Sequence, residues 1–378
     1  MFKIQKGYAD LHGYIDFINY CFGMNGASKS FDTLLPKLYA DGKTSANDTY
    51  FALEDGKLIG TVLSYPITLH IGDAVLSARG IGSVATHPRH RGKGVMKALM
   101  KEAIDGMLKD GVALSMLGGR RGRYAHFGYE KCDAMTYYAL NRASVGYLAP
   151  ETDGFTMKKV GQGDEALLDL LHTHMHRRPY FAERPREALY DILTSWHSVP
   201  YAFFKDERLV GWGIWYRDKR EFSELEYLDP TAVSAMLALA MRELGDFSVA
   251  VPVNDCEKSA LIDPFAETAS AISTACFLVL DFQKTLSALF SLKAATVPLS
   301  DGSLTVKIDG YRAETLKIAV KNGAPTVTEY GGEPDLTLSL RDAEVLFFRA
   351  LSPQRCALAP EVASWFPLPL VIHECDNV

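Results

Sequence analysis

An internal repeat constrains this chain more than any other feature. Tyr50-Phe-Ala-Leu-Glu-Asp-Gly-Lys-Leu-Ile-Gly60 returns as Tyr201-Ala-Phe-Phe-Lys-Asp-Glu-Arg-Leu-Val-Gly211. Asp55 and Asp206, Leu58 and Leu209, Ile59 and Val210, and Gly60 and Gly211 coincide without a gap. Each copy reads as an apolar strand, a tight turn at Asp-Gly or Asp-Glu, and a second strand. Two explanations stand side by side: a common hairpin shape reached twice, or two copies of one fold about 150 residues apart. The second divides the chain into a unit at 1–147, a counterpart at 148–277 and a remainder at 278–378. A length of 378 residues accommodates two to four domains at roughly 100–200 residues each.

The segments after each hairpin differ in one respect. In the first unit, strand-like runs at Thr61–His70 and Val75–Thr86 lead through a glycine-rich turn into an amphipathic helix, Val95–Leu108. Val95, Leu99, Ala103 and Met107 fall on one stripe of that helix. A further strand, Val112–Leu117, completes a βαβ-type unit. In the second unit, only Asp229-Pro230 separates the strand Phe222–Leu228 from the helix Thr231–Leu244, and no glycine is present there. If the units are copies, the second has lost the turn. The remainder alternates differently, with helices at Phe282–Phe290 and Asp342–Ala350 and strands at Leu304–Ile308, Leu316–Val320 and Leu336–Leu340. It ends in an apolar tail (Trp365, Phe366, Leu368, Leu370, Val371, Ile372) that is expected to pack on the rest. The expected fold class is α/β followed by α+β.

Composition narrows the function. Forty Lys and Arg against 46 Asp and Glu give a net charge of −6. Phosphate neutralisation favours basic proteins, so nucleic acid is not expected as a partner. The N-terminal residues lack the basic and apolar regions of a signal peptide, and no apolar run reaches the ~20 residues of a membrane span. The six cysteines form no CxxC pair, which fits reduced thiols in a cytoplasmic protein without a membrane partner.

The chemistry concentrates in Arg89-x-x-Gly92-x-Gly94, at the boundary between strand and helix. Glycines there let the backbone approach an anion, and the N–H groups of the first helical turn point at it with the helix dipole. Arg89, Arg91 and Lys93 add positive charge, making a site suited to a pyrophosphate. The spacing is neither the Rossmann nor the Walker pattern. Downstream stands Arg123-Tyr124-Ala-His-Phe127-Gly128-Tyr129, in which Tyr124 reads either as a buried aromatic or as an acid. His172, His174 and His176 have no carboxylate or cysteine at complementary spacing, and no metal is expected.

With Val84-Ala-Thr-His-Pro88 ahead of the turn and Tyr124 ahead of Phe127-Gly128-Tyr129, the sequence resembles the GNAT N-acetyltransferases. The tandem layout, the glycine-free second copy, the α+β remainder and the segment Arg177–Arg184 with Trp196 make the chain similar to the Eis (enhanced intracellular survival) family. That resemblance implies tandem GNAT (acyl-CoA N-acyltransferase) domains, the second degenerate, followed by a sterol-carrier-protein-like (SCP2-like) domain. It further implies acetyl-CoA as co-substrate, a small cationic amine such as an aminoglycoside as acceptor, and a homohexamer. The cofactor-binding residues it implies are Val84, Ala85, Thr86, Arg89, Gly92, Lys93, Gly94, Val95, Met96, Gly119 and Arg120. Tyr124 would be the general acid, and the terminal carboxylate, here that of Val378, would be the base. Protein lysine as acceptor, or a hydrophobic-ligand or scaffold role with a relic GNAT unit, are the alternatives. Glu374 and Asp376 are expected to help hold a cationic acceptor.

Overall fold

The computed structural model describes residues 2–24, 30–40, 42, 43, 45–148 and 150–378. Six strands open the chain: β1 (Lys3–Lys6), β2 (Thr49–Glu54), β3 (Lys57–Ile71), β4 (Ala74–Thr86), β5 (Leu114–Leu117) and β6 (Glu130–Lys131). The next nine are β7 (Met135–Leu140), β8 (Phe155–Lys159), β9 (Tyr180–Ala182), β10 (Ser198–Lys205), β11 (Arg208–Tyr216), β12 (Glu221–Tyr227), β13 (Phe247–Pro252), β14 (Thr268–Ile272) and β15 (Cys276–Val279). The last four are β16 (Gly302–Asp309), β17 (Ala313–Lys321), β18 (Ala324–Glu329) and β19 (Leu336–Ser339).

The repeated hairpins are β2–β3 and β10–β11, one in each of two sheets. Their turns share a backbone: Asp55 and Gly56 have φ of 50° and 73°, and Asp206 and Glu207 have 47° and 66°. Positive φ at both central residues matches the right-handed twist of the flanking strands. The register also shifts at the same place in each copy, between Ala52 and Leu53 and between Phe203 and Phe204. The two hairpins thus correspond in turn conformation and in the position of the bulge.

The sheets do not follow the linear division at 147/148 and 277/278. The first runs β1-β2-β3-β4-β5-β15-β6, and the second runs β14-β7-β13-β12-β11-β10-β8. Strand β7 leaves the first unit to pair with β13 and β14, while β15 crosses back to lie between β5 and β6. β9 likewise joins the first sheet, pairing Tyr180–Ala182 with Leu69–Ile71 of β3. The reason is visible in β15: Cys276, Phe277, Leu278 and Val279 are all buried, filling both faces of the position beside β5.

The third unit is a sheet of order β18-β17-β16-β19 covered by helices Phe282–Ala294 and Leu340–Phe348. The turn between β17 and β18, Asn322-Gly323 with φ of 52° and 76°, was not among the expected elements. Its core is continuous with the first sheet: Ile67, Leu69, Leu76 and Met116 belong to one cluster with Phe290, Phe347, Trp365 and Phe366. The helix Val95–Lys109 covers another part of the first sheet through Val95, Leu99, Ala103 and Met107, the stripe expected from the sequence. Among the described residues no helix is long and apolar enough to cross a membrane.

Because β15 belongs to the first sheet but is tethered to the second unit, the two should unfold together. Leu278→Ala, which empties a fully buried position, is expected to cost about 2–5 kcal/mol. Urea unfolding read by tryptophan fluorescence in a Trp365→Phe background checks this, since the remaining Trp196, Trp212 and Trp215 all belong to the second unit. The fluorescence midpoint should fall with the mutation; independent units would leave it where it was.

Candidate active site

The site begins where β4 and β5 part. Their parallel register ends at Ile81 and Leu117, so Gly82–Thr86 have β3 on one side and no strand on the other. Within this stretch Ser83 adopts φ of 46°, and the register against β3 slips between Thr61 and Leu63. Thr61 Oγ1 donates to the Ser83 carbonyl at 2.7 Å, and the Ser83 and Tyr39 hydroxyls are hydrogen-bonded. A non-glycine residue at positive φ is unfavourable unless its surroundings hold it, and these two bonds do so. Val84, Ala85 and Thr86 therefore lie on a strand whose free edge faces the notch.

The chain then turns through His87–His90, where His87 Nδ1 accepts the Arg89 N–H at 3.2 Å. Gly92 and Gly94 have φ of 77° and 78°, and a Cβ at either would meet nothing within 4 Å. Glycine is required here by conformation rather than by crowding. Helix Val95–Lys109 starts at Gly94 without a capping side chain, leaving its first-turn N–H groups, including those of Val95 and Met96, for an outside acceptor. Arg89, Gly92, Lys93 and Gly94 are exposed around it. The second unit differs in substance: Asp229 accepts the Thr231 N–H at 2.9 Å and its hydroxyl at 2.7 Å. Its own carboxylate occupies the start of the helical segment, so an external anion would be repelled.

At the other side of the notch, Gly119 and Arg120 follow the end of β5 and are exposed. Tyr124, in the short helix Arg121–Tyr124, is buried and lies flat against Gly119; a Cβ on Gly119 would come within 2.6 Å of its ring. Burial raises the Tyr124 hydroxyl above the ordinary tyrosine value, with Arg123 opposing in part. The neighbouring Gly118 faces Asn377, whose Nδ2 would lie 3.3 Å from an added Cβ. Val378 sits over β4: a Cβ on Gly80 would meet its side chain at 2.5 Å and one on Gly82 its carboxyl carbon at 3.0 Å. Three glycines, Gly80, Gly82 and Gly118, thus clear a path for the tail, while Tyr124 packs on the next residue, Gly119.

The tail is pinned along its length by groups that the sequence did not single out. Lys293 Nζ donates to the carbonyls of Trp365 (2.7 Å) and Pro367 (3.1 Å). Tyr180 and Val371 exchange hydrogen bonds, and His373 Nδ1 lies 3.0 Å from the Ser223 carbonyl. Lys37 Nζ donates to the carbonyls of Cys375 (2.7 Å) and Asn377 (2.6 Å), and Trp196 Nε1 reaches the same Asn377 oxygen at 3.1 Å. Burial pulls the Lys37 ammonium down to about 8, against the attraction of Asp376.

Arg184 is the centre of this arrangement. Fully enclosed, it binds both oxygens of Asp376 at 2.8 Å and reaches Glu224 Oε2 at 2.8 Å. Burial would raise the Glu224 carboxyl, but Arg178 and Arg184 hold it well below its usual range. Asp376 is therefore committed to Arg184 and is not available to an acceptor, contrary to expectation; Glu374 carries no such commitment. In the histidine trio, His176 uses both ring nitrogens on main chain, facing the His172 carbonyl at 2.8 Å and the Arg184 N–H at 3.3 Å. Lys37 and Glu224 gave no sequence signal, since isolated charged residues are ordinarily solvated.

Comparisons with known proteins bear on the fold. Residues 6–132 match the family model of the acetyltransferase (GNAT) domain. A GCN5-related N-acetyltransferase from Anabaena variabilis superposes with a TM-score of 0.68 at 16% identity, covering 100% of both chains. Eis1 from Mycobacterium abscessus gives 0.66 at 14% identity, also over 100% of both. A probable N-acyltransferase from Enterococcus faecalis gives 0.64 at 20% identity, over 92% of this chain and 90% of that one. No curated protein matches the chain. At these identities the structural likenesses show the fold, and the family match marks residues 6–132 as similar to the GNAT acetyltransferase domain.

Proposed function

We propose that this protein is an acetyl-CoA-dependent N-acetyltransferase of the Eis type, acting on a small cationic amine such as an aminoglycoside or a polyamine-like molecule. The observation that carries the reading is an uncapped, glycine-led helix start directly after an unpaired strand edge, with the chain's last residue seated on that same strand at Gly80 and Gly82. In this reading residues 1–147 are the catalytic unit and 148–277 a degenerate copy, with one strand exchanged. Residues 278–378 are an SCP2-like platform for the tail, and the protein is a cytoplasmic homohexamer.

The residues fit the co-substrate. Arg89, Gly92, Lys93, Gly94, Val95 and Met96 would hold its pyrophosphate, Val84, Ala85 and Thr86 would line its pantetheine arm, and Gly119 and Arg120 would border it. Acetyl-CoA supplies the activated acetyl group. The protein must then keep the amine neutral when it attacks and provide a proton for the departing thiol. Tyr124 holds that proton, because burial strengthens a hydroxyl already protonated at neutral pH. A carboxylate with an ordinary pKa near ~3.5 is a weak base toward an ammonium. Val378 therefore acts by orienting the cation and passing its proton to water.

Calorimetric titration with acetyl-CoA tests the reading directly: no binding would sink it. Tyr124→Phe should lower kcat by about 10²-fold or more while leaving acetyl-CoA affinity near wild type; unchanged turnover would remove Tyr124 from the mechanism. A raised acid keeps its proton as pH increases, so the alkaline limb of kcat assigned to Tyr124 should lie above ~10. Adding one glycine after Val378 displaces the carboxylate within a closed space, and kcat should fall by about 10²-fold. Full activity in that variant would rule the terminal carboxylate out.

A further inference from the structure

Beneath the tail, between the two sheets, lies a cleft with a cavity of about 40 Å³, bordered by Met116, Tyr137, Glu221, Ser223, Glu374 and Asn377. A single water needs about 10–15 Å³ of such space, so the cleft has room for a small polar group. Glu221 is 7% exposed, and among the described residues its carboxyl has neither a hydrogen-bond nor an ion-pair partner. Burial disfavours its charged form and Glu374 repels it, while Lys219 attracts it. The other acids at the cleft are differently placed. Asp133 is occupied by the main-chain N–H groups of Thr274 and Ala275, at 2.5 and 2.9 Å. Glu374 is half-buried with no such bonds. Lys219 stands at the exposed rim, with its ammonium over the Tyr216 ring, and is the one cation bordering the cleft.

We infer that this cleft is a subsite for a second ammonium group of the acceptor, with Glu221 of the degenerate unit as its charge partner and Glu374 at its mouth. The inference rests on the proposed acetyltransferase reading and narrows its substrate to slender molecules carrying two separated amines. Asn377, which borders the cleft, directly precedes Val378, so the cleft lies one residue along the tail from the terminal carboxylate. Burial pushes the Glu221 carboxyl up to about 7; a cation beside it would favour the charged form. The second unit, having lost its own anion turn, thereby contributes recognition instead of chemistry.

Calorimetric titration of the full-length protein with putrescine and cadaverine, against butylamine and pentylamine as single-nitrogen controls, reads the subsite without turnover. Each diamine should bind on the order of tenfold tighter than its monoamine. Glu221→Gln, which keeps shape and removes charge, should erase that preference, and Glu374→Gln should reduce it. Melting curves of both variants confirm that they fold. Equal binding of diamine and monoamine by the wild type, or a preference undiminished in Glu221→Gln, overturns the subsite. A diamine preference that depends on Glu221, together with no acetyl transfer from acetyl-CoA, upholds the subsite and instead defeats the acetyltransferase reading.

Discussion

The buried pairing of Arg184 with Asp376 and Glu224 is the interaction on which the site depends. Withdrawing such charges from water costs several kcal/mol per ion, repaid only when geometry is tight and every polar atom is satisfied. Here the geometry is tight: Arg184 grips both oxygens of Asp376, while Glu224 also receives Trp212 Nε1 at 3.2 Å and Arg178 at 3.3 Å; Arg178 Nη2 alone is left without a partner among the described residues of the network. Such an arrangement adds little net stability over an apolar core, but it tolerates only one register. A tail held by hydrophobic contacts could slide by a residue. A tail whose Asp376 must meet Arg184 places Val378 over Gly80 and Gly82 and nowhere else.

Around that fixed point the three units have separate duties. The first sheet supplies the notch and the uncapped helix. The second supplies Arg184, Trp196 and Glu224, which fix the tail, and Glu221, which faces the cleft below it. The third supplies the platform from which the tail departs, with Lys293 holding its first turn. Trp196 itself adopts φ of 59°, an unfavourable conformation for a bulky residue; its indole N–H is thereby brought to the Asn377 carbonyl.

The sequence disclosed the parts whose signals are local. The Asp55/Asp206 hairpins, the stripe on Val95–Lys109 and the glycine turn were all legible, because each follows from spacing over a few residues. Strand exchange was not legible. β7 and β15 are both short apolar strands, and nothing in Met135–Leu140 or Cys276–Val279 says which sheet each will join. The tail clamp was half legible: Arg184 and Trp196 lay in a segment marked by resemblance, but their partners are nearly two hundred residues away in sequence. Asp376 was misjudged for the same reason, since a carboxylate reads as solvated until its guanidinium is found.

The exchanged strands have a consequence for how this architecture can change over time. A fragment limited to the 6–132 region would leave the edge of β5 bare, with the seat of Phe277 and Leu278 open to water and to other strands. The second unit therefore cannot be deleted without unravelling the first. Strand exchange acts as a ratchet: once each unit holds a strand of the other, neither can be lost alone. Positions such as Glu221, Glu224 and Trp196 are then free to be recruited for new work.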